Sequence, residues 1–264
     1  MSDNLARRLW AARTGGGTVP LAAGDVLIGA EDAYAVQRES AALAGLPRAG
    51  WKVAATSAAA QRLLDTPGPS TAPMFQPLCF ESPAELAIFE GQSTSVESEF
   101  AFRFDRPLPP RDTAYARAEV LTAVGALFAA IEVVACRFEG GFAGLGGARL
   151  IADMAANLAW VRGAETSDWR GRDLRSHPVV LSKNGETVAE GNGAQVLGDP
   201  LNVLEWTANH LSGLGDGISA GEVVSTGTCT GVVPVAPGDT LIANFADLGD
   251  VEVRFHADTG VPSG

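Results

Sequence analysis

Cysteine is scarce in this chain of 264 residues, with three at Cys79, Cys136 and Cys229. They lie far apart and form no Cys-x-x-Cys or Cys/His cluster, which excludes a zinc module and a disulfide framework and fits thiols kept reduced in a core. Positive charge is also short, with 19 Lys and Arg against 31 Asp and Glu and a formal net charge of −12. A field of that sign repels phosphate backbones and anionic membrane surfaces, so no nucleic acid and no membrane is expected as a partner. The first ten residues carry no apolar core of a secretory signal, and no stretch approaches the roughly 18 apolar residues needed to span a bilayer. A soluble, cytoplasmic protein is the expectation. Internal repeats, low-complexity tracts and obvious linkers are missing as well.

What is present is apolar bulk: 46% of residues are hydrophobic, enough to enclose a large core without staples. Helical spacing predicts two N-terminal helices, over 5–12 and 32–46, joined by a loop over 15–25 and stopped at Gly45-Leu46-Pro47. A short strand over 50–56 carries Lys52, followed by a small helix over 58–64 and a Pro/Gly/Ser-rich loop over 66–73. Strict alternation marks a strand over 95–104, with Val96, Phe100, Phe102 and Phe104 on one face and Glu97, Glu99, Ala101 and Arg103 on the other. The spacing then predicts a helix over 116–130 and a β-branched strand over 131–136.

Beyond residue 176 the pattern changes to short strands. Asn184-Gly185 marks a hairpin between 179–181 and 187–189, a helix runs over 200–211, and further strands cover 222–225, 240–245 and 251–255. Regular βαβ alternation is absent, so the class is α+β, built on a mixed β-roll or distorted barrel. A helical region over 1–48 and a β-roll over 49–264 form one continuous unit in this reading.

Three carboxylates draw attention. Glu97 and Glu99 leave the same face of one strand with Cα atoms about 7 Å apart, close enough to share an ion, although the same parity at Ala101, Arg103 and Asp105 also describes a solvated face. Glu132 shares its strand face with Val134 and Cys136 in an otherwise apolar run, where a carboxylate is costly unless paired or metal-bound. If the two strands are neighbours, the three converge, and an all-oxygen set selects a hard cation, Mg²⁺ or Mn²⁺. Lys52, between Trp51 and Val53, reads either as an ordinary exposed cation or as a desolvated one whose lowered pKa suits proton transfer. Thr226-Gly227-Thr228 is a turn able to offer hydroxyl and backbone donors to a carboxylate.

Taken in order, these pieces resemble the hydratase and decarboxylase branch of the fumarylacetoacetate hydrolase superfamily. The resemblance rests on Gly50-Trp51-Lys52-Val53 with Thr56-Ser57 and Gln61, on Val96-Glu97-Ser98-Glu99-Phe100, and on Ile131-Glu132-Val133-Val134 with Arg137. It continues through Ile151-Ala152-Asp153, Gly198-Asp199-Pro200-Leu201 and Gly221-Glu222 to Thr226-Gly227-Thr228 and Pro237-Gly238-Asp239. It implies a β-roll, a Mg²⁺ or Mn²⁺ ion held by Glu97, Glu99 and Glu132, and Lys52 with Glu132 as catalytic residues. Thr226, Gly227, Thr228, Gln61 and Asp153 would bind a small 2-oxo or 2-hydroxy dienoic acid, and a homo-oligomer is implied.

The implied reaction is hydration of a 2-hydroxy-2,4-dienoate to a 4-hydroxy-2-oxo acid, as in meta-cleavage catabolism of aromatic compounds. Decarboxylation of a 4-oxalocrotonate-type 2-oxo-3-enedioate and C–C hydrolysis of an acylpyruvate are the alternatives. The hydrolytic relatives use a histidine before the metal motif, whereas His177, His210 and His256 all come late. The chain departs from the family where Ala135 and Cys136 replace Asp and Ser and Met154 replaces Asn, so a catalytically altered binding member is the fourth possibility.

Overall fold

The computed structural model describes residues 4–21, 25, 27 and 29–258. Part of the loop predicted over 15–25, residues 22–24, lies outside them. Helices α1 (Leu5–Gly15) and α2 (Ala30–Ala44) open the chain, followed by β1 (Arg48–Ala54), α3 (Ala58–Leu63), β2 (Ser70–Phe75), β3 (Cys79–Glu81), β4 (Ala84–Ile88) and β5 (Ser93–Phe104). Next come α4 (Arg117–Ala123), β6 (Val124–Cys136), α5 (Gly147–Ala152), β7 (Asn157–Thr166), β8 (Pro178–Lys183), β9 (Glu186–Asn192) and α6 (Pro200–Gly213). Strands β10 (Val223–Thr228), β11 (Val233–Pro234), β12 (Thr240–Asn244) and β13 (Asp250–Ala257) complete the order. Among these helices none is long and apolar enough to cross a membrane.

Among the described residues the strands form two sheets. One has eight strands in the order β2-β1-β10-β5-β6-β7-β3, with β11 added to β5, and curls into a half-barrel; the other has five, β4-β13-β12-β8-β9. The mixed β-roll expected from the sequence is therefore the fold. Alternation explains how the layers meet. Val96, Phe100, Phe102 and Phe104 of β5 and Ile131 and Val133 of β6 share one core with Leu181, Leu241, Val251, Val253 and Phe255 of the smaller sheet. The opposite face of β5 and β6 turns into the curl, where Ala101, Phe128, Ala130 and Trp160 form a small separate cluster with Met74. A second core ties Leu5, Leu9 and Tyr34 of α1 and α2 to Phe75, Val134 and Met154.

Two local expectations give way. The helix predicted over 116–130 stops at Ala123, and Val124 onward is strand β6. Helix propensity along Ala126-Leu127-Phe128-Ala129-Ala130 is outweighed by pairing with β5 on one side and β7 on the other. The predicted loop over 66–73 ends earlier, since Ser70–Phe75 is strand β2, fully buried and at the edge of its sheet. Pro73 is tolerated there because an edge strand has one row of backbone donors without a ladder partner.

Candidate metal and substrate site

The register of β5 and β6 brings the acidic residues together. Glu97 lies directly opposite Glu132, and Glu99 opposite Ala130, so all three carboxylates leave the sheet on its inner face. One oxygen from each lies within 4.8 Å of the others. Like charges placed opposite one another across strands repel, and here Glu99 and Glu132 are also fully buried. The face that also reads as solvated in the sequence is thus interior: Glu99 and Ala101 have no exposure.

Lys52 reaches the same point from β1. Its Nζ lies 3.1 Å from Glu132 Oε2 and donates to Ala155 O at 2.9 Å. The lowered pKa expected for a desolvated lysine is not what the fold produces. Burial does pull it down, but Glu132, Glu97 and Glu99 together outweigh burial and raise it above the ordinary lysine value. Lysine itself is rare here: Lys52 and Lys183 are the only two among 19 basic residues, in a chain that uses arginine for the rest. That choice is a signal in the sequence, because an ammonium gives up its proton more readily than a guanidinium.

Two of the carboxylates, Glu97 and Glu99, are pushed toward the protonated form. Burial pushes Glu97 up to about 7, with Lys52 opposing and Glu132 adding to the rise. Glu99 stands well above the usual carboxylate range through burial and then its neighbours Glu132 and Glu97. Asn157 donates to Glu132 Oε1 at 2.8 Å, and the Ser225 hydroxyl donates to Glu99 Oε2 while accepting from Trp160 Nε1 at 3.1 Å. Glu99 Oε1 and Glu132 Oε2 accept no aligned hydrogen bond although both are buried. Converging oxygens, with Glu99 Oε1 lacking a partner and Glu132 Oε2 facing the Lys52 ammonium alone, fit a hard divalent cation, whose charge would offset the excess of three carboxylates over one ammonium.

Asn157, Ser225 and Trp160 were not singled out in the sequence. Nor was Arg13, which α1 sends into the interior to Asn157 Oδ1 and to Leu158 O at 3.1 Å. Arg137 meets it there, with Nη2 on Asn157 O at 2.7 Å, so two buried guanidiniums fix the residue that orients Glu132. Between α5 and β7 the chain makes a left-handed turn in which Met154, Ala155 and Ala156 have φ of 51°, 48° and 59°. None is glycine, so each carries strain of roughly 1–2 kcal/mol, and the turn aims Ala155 O at Lys52. Three residues after Met154, Asn157 is the amide that meets Glu132.

A cavity of about 390 Å³ opens onto this cluster, and among the described residues Lys52 and Glu97 are the only charged ones in its lining. Gly227 and Thr228 line it as well. Gly227 has φ of 97°, and a Cβ there would meet Thr56 Oγ1 at 2.1 Å, so the position demands glycine. The other predicted binding residues are placed elsewhere. The Thr226 hydroxyl is buried on Phe100 O at 2.8 Å, and the Gln61 amide turns back to Ala55 O at 2.9 Å. Asp153 faces Arg137, accepting from its backbone N–H at 2.9 Å, and burial raises its pKa against the pull of Arg137. No histidine lines the cavity: His177 binds Phe245 O, His210 stacks on Trp206, and His256 lies exposed on β13.

The family profile described as Fumarylacetoacetate (FAA) hydrolase C-terminal matches residues 53–256. The chain belongs to this family. A 2-keto-4-pentenoate hydratase of Paraburkholderia xenovorans (strain LB400) is 30% identical over 231 residues, covering 86% of this chain and 84% of the relative. A 4-oxalocrotonate decarboxylase of Pseudomonas putida is 37% identical over 137 residues, 52% of this chain and 51% of the relative. In three dimensions the chain resembles the 4-oxalocrotonate decarboxylase of Pseudomonas putida G7 solved with magnesium and adipate, with a TM-score of 0.84, 28% identity and 95% of each chain covered. Membership of this family supports an enzyme of the hydratase and decarboxylase kind.

Proposed function

We propose that the protein is a divalent-metal-dependent hydratase that converts a 2-hydroxy-2,4-dienoate into a 4-hydroxy-2-oxo acid. The observation that carries this reading is the convergence of Glu97, Glu99 and Glu132 beside the buried ammonium of Lys52 at the inner end of a cavity that holds no histidine. The three glutamates would hold Mg²⁺ or Mn²⁺, which when bound supplies Lewis-acid polarisation of the substrate's C2 oxygen and carboxylate.

The chain's own residues supply the rest. Ketonisation moves the enol proton of the dienoate to C5; water then bonds to C4 through its oxygen, and a proton is delivered to C3. Lys52 is placed to hold and pass these protons, since its ammonium is anchored by Ala155 O yet lines the cavity. Gly227 and Thr228 border the same space, and with the Thr228 hydroxyl donated to Gly231 O at 2.8 Å their backbone would take the substrate carboxylate. The walls nearest Lys52 are alanine and valine, which leaves few competing polar groups beside the reacting atoms.

Decarboxylation of a 2-oxo-3-enedioate is the second reading, favoured by the structural likeness to the P. putida G7 decarboxylase. A C–C hydrolase is disfavoured because no histidine reaches the cavity. The deciding experiment gives the Mg²⁺-loaded protein either 2-hydroxypenta-2,4-dienoate or 4-oxalocrotonate. Loss of dienol absorbance with formation of 4-hydroxy-2-oxopentanoate supports hydration; CO₂ release from 4-oxalocrotonate without hydration of the dienoate replaces it with the second reading.

A further inference from the structure

Beyond Lys52 and Glu97 the cavity changes character. Its far walls are Leu63 and Leu64 of α3 and its end, Val134, Phe142, Leu150 and Val232, and no further charged group lines it. The nearby basic side chains do not turn in: Arg62 on α3 is exposed and outside the lining, and Arg149 on α5 donates to Leu145 O at 3.3 Å. Two of these walls are also left open to solvent. Leu63 is 68% exposed and Val232 50%, and they stand among the few large apolar side chains on the surface of the described residues. They flank one cavity from two separate elements. An apolar ligand entering there covers surface that the chain alone leaves wet.

We infer that the site selects substrates whose distal end, beyond C4, is an uncharged alkyl or aryl group, and that Leu63, Phe142, Leu150 and Val232 set this preference. The inference rests on the reading of the site as one for 2-oxo and 2-hydroxy acids. A second carboxylate at the distal end would leave water for an apolar wall with no cation to receive it, which disfavours dicarboxylates by roughly 100-fold. Each methylene buried against that wall should favour binding by roughly fourfold.

The test separates binding from turnover. Calorimetry on the Mg²⁺-loaded protein compares two saturated acids that cannot be hydrated, 2-oxooctanoate and 2-oxoadipate, alongside kcat/KM for 2-hydroxypenta-2,4-dienoate and its longer 5-alkyl homologues. Tighter binding of 2-oxooctanoate by tenfold or more, with kcat/KM rising along the alkyl series, is expected. The substitution Leu63→Arg, at an exposed position that does not threaten folding, should weaken 2-oxooctanoate and strengthen 2-oxoadipate; Val232→Arg should do the same from the opposite wall. Equal or tighter binding of 2-oxoadipate by the unmodified protein overturns the inference while leaving the hydratase reading intact. Alkyl preference in binding without any hydration of the dienoates overturns the hydratase reading and leaves this one standing. If neither acid binds, the inference falls.

Discussion

The five-stranded sheet keeps most of its charges near the surface in ordinary pairs, such as Arg254 with Glu252 at 2.7 Å. The eight-stranded sheet buries Lys52, Glu99 and Glu132. Pairs of the first kind are worth about 0–1 kcal/mol each, whereas cutting one partner from a buried pair costs about 3–5 kcal/mol. The first sheet therefore adds stability at low risk, and the second concentrates groups that a stable fold would not choose. Where a chain breaks its own rules in one place and obeys them everywhere else, the breach marks the site.

The contrast breaks most visibly at Glu132. The substitution Glu132→Gln should abolish Mg²⁺ binding by calorimetry and reduce turnover on the order of 10³-fold or more. Unchanged Mg²⁺ affinity would mean that the buried charges serve some other purpose. Next in size is Lys52→Met, expected to lower kcat by about 10²–10⁴-fold while Mg²⁺ binding is kept or tightened, because a cation is removed from three carboxylates. Loss of Mg²⁺ binding in that variant would reduce Lys52 to a support. Asn157→Ala, which strips the donor from Glu132 Oε1, should weaken Mg²⁺ binding about 10–100-fold.

A smaller effect separates the sheets by pH. Glu97 in the fold stands at about 7, above its ordinary 4.5, so the folded state retains a proton that the unfolded chain releases. Its contribution is fully present below 4.5 and is lost as pH climbs through 7. With EDTA present, the unfolding temperature should fall across that window, and Mg²⁺ at high pH should restore it; a flat profile would remove Glu97 from the cluster. Smallest is Gly185→Val in the hairpin of the five-stranded sheet, where φ is 87°. Strain of about 1–2 kcal/mol should lower the unfolding temperature by roughly 2–8 °C with kcat unchanged, and a fall in kcat would show that the sheets are coupled.

The legible features were local ones. Alternation in β5 placed Glu97 and Glu99 on one face, and the apolar surroundings of Glu132 made its carboxylate conspicuous before any pairing was known. The Asn184-Gly185 turn and the helix over 200–211 likewise follow from adjacent residues. What stayed hidden depends on contacts between distant segments. Residues 124–130 have the composition of a helix and become strand because β5 and β7 grip both edges. Asn157, Ser225 and Arg13 are ordinary residue types whose roles arise where segments far apart in sequence meet, and the raised pKa of Lys52 arises from carboxylates 45 or more positions away. The rest of the site had a clue that composition alone supplies, the rarity of lysine.

The left-handed turn over Met154, Ala155 and Ala156 sets an evolutionary bargain. Glycine at Ala155 or Ala156 would relax the backbone at the loss of a single methyl group, so selection for heat resistance alone should drift toward glycine at those two positions, while the core packing of Met154 holds the first. Selection for turnover should resist that drift, because a slack turn no longer fixes the carbonyl that steadies Lys52. Side chains that look unremarkable in the sequence thereby become a record of which pressure the lineage has been under.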